Sequence, residues 1–275
     1  MGRLILCAAD VAKEPYTMPV SGVKVYSIEE LCYYLYQNIY EITPDYFDEK
    51  LVLWLNHQLG MKVIAEKLET LLEIDGSLKD IVISILCSCD YYSEDEIKAL
   101  LGVLTEIEHL PYHGKQKQKA DMYLRYGRYV LAKKEYDKLL GSGYSVNLTP
   151  TEYGNILHNR AMASFFLGMY EEALIDMKDA YARNNDSRTL QQYLYALLLC
   201  GRKDEFQKEV LNYQIGSNVA EGILELYGNA KERAMESNGY QEISKLRKYA
   251  TNEEIAEYAA KHIEMWKRLY REGTY

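Results

Sequence analysis

Cys87-Ser88-Cys89 is the densest pairing of metal-ligating side chains in the sequence. Two thiolates at that spacing could supply half of a tetrahedral zinc site, but zinc needs four protein ligands and no second Cys or His pair follows at ligand spacing. The pair is therefore read as buried thiols on an apolar helix. His109 and His113 have the i, i+4 spacing of a helical metal pair, yet Pro111 lies between them and breaks the helix that would bring the imidazoles together. A Gly-rich phosphate loop, a dinucleotide fingerprint, a G-x-S-x-G elbow and an H-E-x-x-H helix are all absent. The sequence nominates no catalytic residue, no cofactor and no metal ligand, and the chain is expected not to be an enzyme. An enzyme with an unfamiliar site remains the alternative that convergent carboxylates in a deep pocket would favour.

The five cysteines, Cys7, Cys32, Cys87, Cys89 and Cys200, are odd in number and scattered, which suits reduced thiols in the cytoplasm. The apolar run before Cys7 is too short for an export signal, and Leu6 is too large for the position before a lipidated cysteine. No stretch approaches the roughly 18 uninterrupted apolar residues of a membrane-spanning helix. The expectation is a cytoplasmic protein with no membrane partner.

Charge separates the chain into two parts. The net charge is −9, and residues 1–112 carry 8 Lys+Arg against 19 Asp+Glu, leaving 24 against 22 for the rest. Such an acidic balance argues against nucleic acid as a partner, because binding a polyanion needs local cation excess. Lys115, Lys117, Lys119, Arg125, Arg128, Lys133, Lys134 and Lys138 form a basic stretch. It reads either as a solvated helix face or as a dock for an acidic segment, this chain's own amino-terminal half included. Tyrosine is the compositional outlier, 27 against 4 Phe and 2 Trp. A large ring with a polar tip serves half-buried helical layers and interfaces alike.

The elements that must position these residues are mostly helical. Arg3–Cys7 and Gly22–Tyr26 are short apolar or β-branched runs flanking Pro15 and Pro19, and are expected to pair as a small hairpin over residues 1–26. Helix starts then recur as capping boxes at Ser27–Glu30, Ser93–Glu96, Thr149–Glu152 and Thr251–Glu254, with weaker versions at Ser77–Asp80 and Thr43–Asp45. Apolar residues at helical spacing predict helices near 27–40, 46–59, 62–74, 78–91 and 94–109, an acidic helical region over 27–112. Pro111 to Gly114 interrupts the pattern and marks the expected domain boundary.

Residues 153–185 carry a recognisable unit. From Gly154, the positions of Leu157, Ala161, Gly168, Tyr170, Ala173, Met177 and Ala180 give a large residue, a small residue, a turn glycine and a second-helix packing set. A degenerate copy surrounds Gly201, with Tyr193, Leu194 and Leu197 before it and Phe206, Val210 and Tyr213 after it. Another surrounds Gly127, with Ala120, Tyr123, Tyr129, Ala132, Tyr136 and Leu139, and residues 141–147 then read as a loop insertion. Three such units over residues 113–215 resemble a tetratricopeptide repeat array. The resemblance implies an all-α, TPR-like α-solenoid of helical hairpins, here with a small amino-terminal β-hairpin. The run from Val25 to Tyr34 separately resembles an uncharacterised family of anaerobic Gram-positive bacteria, which supplies no function. Residues 216–275 are expected to form capping helices, near 219–236 and 253–271. The last carries Ile255, Tyr258, Ala259, His262, Trp266 and Leu269 along one stripe, and a partner-binding helix is the alternative.

In the tetratricopeptide family, first helices line a concave groove, and ligand contacts fall at set positions along them. The resemblance places Lys117, Asp121 and Arg125 from the first unit there, then Asn155, His158, Asn159, Met162 and Phe166, then Arg188, Gln191, Gln192 and Tyr195. The lysine and asparagine clamp of chaperone-binding relatives is not matched. The implied function is a protein-binding adapter or scaffold whose partner is an unknown protein or peptide. The competing class is a ligand-responsive transcription regulator with a TPR-like sensor, which the acidity of residues 1–112 opposes.

Overall fold

The computed structural model describes Cys7 and residues 10–141 and 143–271. Those residues form fourteen α-helices, two 3-10 turns and one two-stranded antiparallel ladder. The chain is thus all-α with a small amino-terminal β-hairpin. It separates into two compact units, Met1–Tyr126 and Gly127–Tyr275.

In the first unit, β1 (Tyr16–Thr17) pairs with β2 (Lys24–Val25), Tyr16 opposite Val25. The second expected strand is present, but its partner is Tyr16–Thr17 and not Arg3–Cys7. Residues 3–6 lie outside the described residues. Two-residue strands cannot stand alone, and the pairing is fixed by what Tyr16 buries. Its ring lies 5.9 Å from that of Trp54, and its hydroxyl donates to Asp48 Oδ1 at 3.2 Å. Trp54 Nε1 in turn donates to the Glu14 carbonyl at 2.9 Å.

Six helices follow: α1 (Ile28–Gln37), α2 (Glu49–His57), α3 (Lys62–Glu73), α4 (Leu78–Leu86), α5 (Glu94–His109) and α6 (Tyr112–Arg125). Ser27 Oγ accepts the Glu30 N–H, while the Glu30 carboxylate reaches one residue beyond the usual box to the Tyr26 N–H at 2.6 Å. Ser93 and Glu96 form the full reciprocal box. Thr43 makes no side-chain cap and starts a 3-10 turn, Pro44–Tyr46, whereas Asp48 caps α2. The core gathers Ile28, Leu31, Leu35, Leu51, Leu55, Leu68, Ile85 and Leu104, all essentially inaccessible. Helix α4 stops at Leu86, short of the expected 91, where the Ser88 N–H turns to the Ile85 carbonyl three residues back and Ser88 Oγ donates to the same carbonyl.

Pro111 to Gly114 does not separate the units. Pro111 is the N-cap of α6, and that helix belongs to the first unit: Met122 is buried there, with the Tyr46 hydroxyl 3.1 Å from its sulfur. The division falls between Tyr126 and Gly127.

The second unit runs α7 (Tyr129–Gly141), a 3-10 turn (Gly143–Asn147), α8 (Pro150–Phe166), α9 (Tyr170–Asn184), α10 (Ser187–Leu199), α11 (Lys203–Asn212), α12 (Ser217–Glu236), α13 (Asn238–Tyr249) and α14 (Asn252–Arg271). Helices α8 and α9 pack antiparallel along their length. A Cβ on Gly154 would lie 2.8 Å from the Ala180 carbonyl oxygen, a separation real Cβ atoms do not adopt, so glycine is required where the start of α8 meets the end of α9. Ala161, Ala173 and Ala180 are fully buried in the same contact. Gly127, Gly168 and Gly201 all take left-handed φ, +71°, +78° and +76°, each two residues after one helix and two before the next. At the latter two, paired bonds close the helix end, Met169 N–H to Ser164 and Arg202 N–H to Leu197.

Two features of the carboxyl-terminal region depart from expectation. Helix α13 was not expected; Ser237 caps it, and it buries no residue although Tyr240, Ile243, Leu246 and Tyr249 recur along it. Helix α14, expected as a cap, leaves its apolar stripe largely uncovered. None of its side chains described, residues 252–268, is buried, and Trp266 is 54% exposed. The side chain of Leu269 lies outside the described part.

Candidate functional site

The twelve residues implied by the repeat resemblance fall into two sets, one in each unit. Lys117, Asp121 and Arg125 lie on α6 and line an open cleft of about 330 Å3 with Tyr40, Glu41 and Met122. Their charges are committed locally. Lys117 pairs with Asp121 one turn along, and Arg125 pairs with Glu41. Lys119 pairs with Asp45, Gln118 donates to the Tyr40 carbonyl, and the Tyr126 hydroxyl donates to Glu41 at 2.9 Å. Burial pushes the Tyr126 phenol up to about 12. The start of the basic stretch therefore docks on the acidic amino-terminal half of its own chain. Further along, Lys133 holds Asp137 and Glu172, and Lys138 holds Glu135.

The other nine lie on α8 and α10. Asn155, Phe166, Arg188, Gln191 and Gln192 are exposed, and His158, Asn159, Met162 and Tyr195 are half-buried. Burial lowers the His158 imidazole below the ordinary histidine value, against the raising effects of the nearby Gln192 amide and of the Asp186 charge. Its Nδ1 is inaccessible and has no hydrogen-bond partner. Asn184 Nδ2 bridges Asn155 Oδ1 and Thr189 Oγ1, both at 3.0 Å, tying the end of α9 to its neighbours. Arg188 is 85% exposed and held by Asp186, whose carboxylate also caps α10. Phe166 stacks on Tyr129, centroids 4.7 Å apart, and still exposes 56% of its surface.

Beneath this face lies a charge network that the sequence did not signal. Arg160 donates from Nε and Nη2 to the two oxygens of the buried Asp176, both at 2.8 Å, and from Nη1 to Asp137 at 3.0 Å. One guanidinium thereby joins α7, α8 and α9. Hydrogen bonds to the two carboxylates raise its already high basicity against the opposing effect of burial, so it stays charged.

The cysteines are distributed otherwise than expected. Cys87 is exposed and Cys89 half-buried; the inaccessible thiol is Cys32, 3.6 Å from Cys89. Among the described residues no three His, Cys, Asp or Glu side chains group as a metal site. His109 Nδ1 is engaged by the Thr105 carbonyl of its own helix.

No protein-family model, curated protein or solved structure matches the chain. No helix among the described residues is long and apolar enough to cross a membrane.

Proposed function

We propose that the chain is an adapter or scaffold of the tetratricopeptide-like kind, which holds a segment of a partner protein against the face formed by α8 and α10. The observation that carries this is the Asn184 amide, which donates at 3.0 Å to both Asn155 on α8 and Thr189 on α10, because it draws residues more than thirty positions apart onto one face. That face mixes amides (Asn155, Asn159, Gln191), apolar and aromatic side chains (Met162, Phe166, Tyr195) and one exposed cation, Arg188. Amides can pair with the peptide groups of an extended segment, rings accept its apolar side chains, and Arg188 favours a carboxylate. Lys117, Asp121 and Arg125 are left out of this reading because their partners lie within the first unit.

The test is affinity capture from the native cell with the intact chain and with an Asn159→Glu/Arg188→Glu variant. Loss of the captured protein in the variant, with helicity unchanged, supports the reading. Equal recovery removes this face from consideration.

A further inference from the structure

Helix α14 is amphipathic, and its apolar half is uncovered. At 3.6 residues per turn, Ile255, Ala259, His262, Ile263 and Trp266 share one side of it. Ile255 is 41%, Ile263 45% and Trp266 54% exposed. From α13, Glu242, Leu246 and Tyr249 border the flank of α14 that carries Glu254, Tyr258 and Lys261, and Tyr249 is itself exposed. A contiguous apolar surface of this kind is uncommon on a monomer.

The charges say what covers it. Glu253, Glu254 and Glu257 occupy the start of α14, and Lys267 and Arg268 its last described turn. Parallel pairing of two such helices would set like charges together; antiparallel pairing sets acid against base. We propose that a second copy of this chain docks here, with two α14 helices antiparallel about a two-fold axis between Ala260 and Lys261. That one register places Ile255 opposite Trp266 of the second copy and Ala259 opposite His262, a smaller residue facing a larger one at both levels. It also sets Glu253 level with Arg268 of the second copy and one residue from its Lys267, twice by symmetry, as an isologous interface requires. Lys261 lies next to the axis, in a cleft shared with Glu254 and Glu257 that offsets its charge. A lipid surface is a poorer match, because the polar side of α14 carries Glu253, Glu254, Glu257 and Glu264 against Lys261, Lys267 and Arg268, whereas membrane-surface helices are predominantly basic.

Sedimentation equilibrium of the full chain over about 1–100 µM tests this against Glu253→Lys, Lys267→Glu and the two combined in one chain. The wild type is expected to dimerise. Each single reversal should weaken the dimer by roughly fivefold, within the range for two exposed ion pairs, and the double reversal should restore it. Trp266→Glu should yield a monomer with unchanged circular dichroism, since the side chain is not part of the core. A wild type that stays monomeric at 100 µM, or single reversals without effect, overturns the proposal. A monomer that floats with phosphatidylserine vesicles overturns it in favour of a lipid surface.

Discussion

Cys32 Sγ and Cys89 Sγ stand 3.6 Å apart, the first fully buried at the centre of α1 and the second half-buried just past the end of α4. Their hydrogen bond divides the two thiols. It holds Cys32 protonated, reinforced by burial, and lowers Cys89 to about 7, against the opposing effect of its own partial burial. Thiolate is the reactive form. Cys89 should therefore be alkylated by iodoacetamide at pH 7.5 faster than a free thiol of equal exposure. Cys32→Ala should slow that reaction about tenfold as the thiolate population falls. Peptide mapping by mass spectrometry reads the rate, and an unchanged rate would show that the bond does not tune Cys89.

His158 makes stability depend on pH. Its pKa is lower in the folded chain than the ordinary value of 6.5, because burial disfavours the cation. The unfolded chain then binds a proton more readily, so the contribution is present above pH 6.5 and is lost as pH falls through the folded value. Urea midpoints measured at pH 7.5 and 5.5 should separate further for the wild type than for His158→Gln. An equal separation would assign the acid sensitivity to other groups.

Arg160 is the second stability test. Asp176 is 6% exposed and both its oxygens are bound to this guanidinium. Arg160→Met leaves a buried carboxylate without its cation and should cost about 3 kcal/mol in chemical denaturation. Arg160→Lys keeps the charge but loses the two-pronged geometry and should fall between. The paired change Arg160→Met/Asp176→Leu should recover much of the loss, since an apolar pair leaves nothing unsatisfied.

Gly154 and Gly168 separate two uses of glycine. A methyl on Gly154 meets the backbone of α9 at 2.8 Å, so Gly154→Ala should destabilise by about 2–3 kcal/mol through overpacking. Around Gly168 the space is open and only its φ of +78° resists a side chain. Gly168→Ala should cost about 1 kcal/mol, and Gly168→Asn less. Thermal melts of the three variants give the order.

Helix starts were legible because a cap is written in four consecutive residues. Ser93–Glu96, Thr149–Glu152 and Thr251–Glu254 all close as the sequence indicates. The turn glycines were legible for a similar reason, since left-handed backbone selects a residue type. What escaped was non-local. Nothing near Arg160 in the chain points to Asp137 or Asp176, and nothing near Tyr16 says that Trp54 and Asp48 will hold it. Helix α13 escaped differently: it buries no residue, and only the short run Tyr240, Ile243, Leu246 and Tyr249 at three-residue spacing behind the Ser237 cap marks it. In the candidate site, Asn155 and Gln192 were both implied by the repeat resemblance, while the Asn184 bridge from Asn155 to Thr189 depends on how α8, α9 and α10 approach. The division after Tyr126 rests on Glu41 and Asp45 reaching α6 from over seventy residues away, which no local pattern encodes.

The left-handed residues sort by where they stand. Gly168 and Gly201 bend the chain inside a helix pair, whereas Asn185 and Gln214 take the same conformation at the joints leading from one pair to the next, at φ of +49° and +52°. Gln214 there costs roughly 1 kcal/mol that glycine would not, and Asn185 less. The seams between pairs are thus held under slight tension while the bends within them are relaxed. Native-state hydrogen exchange should accordingly find that amide protection is shed two helices at a time, α8 with α9 and α10 with α11, with the breaks at Asn185 and Gln214.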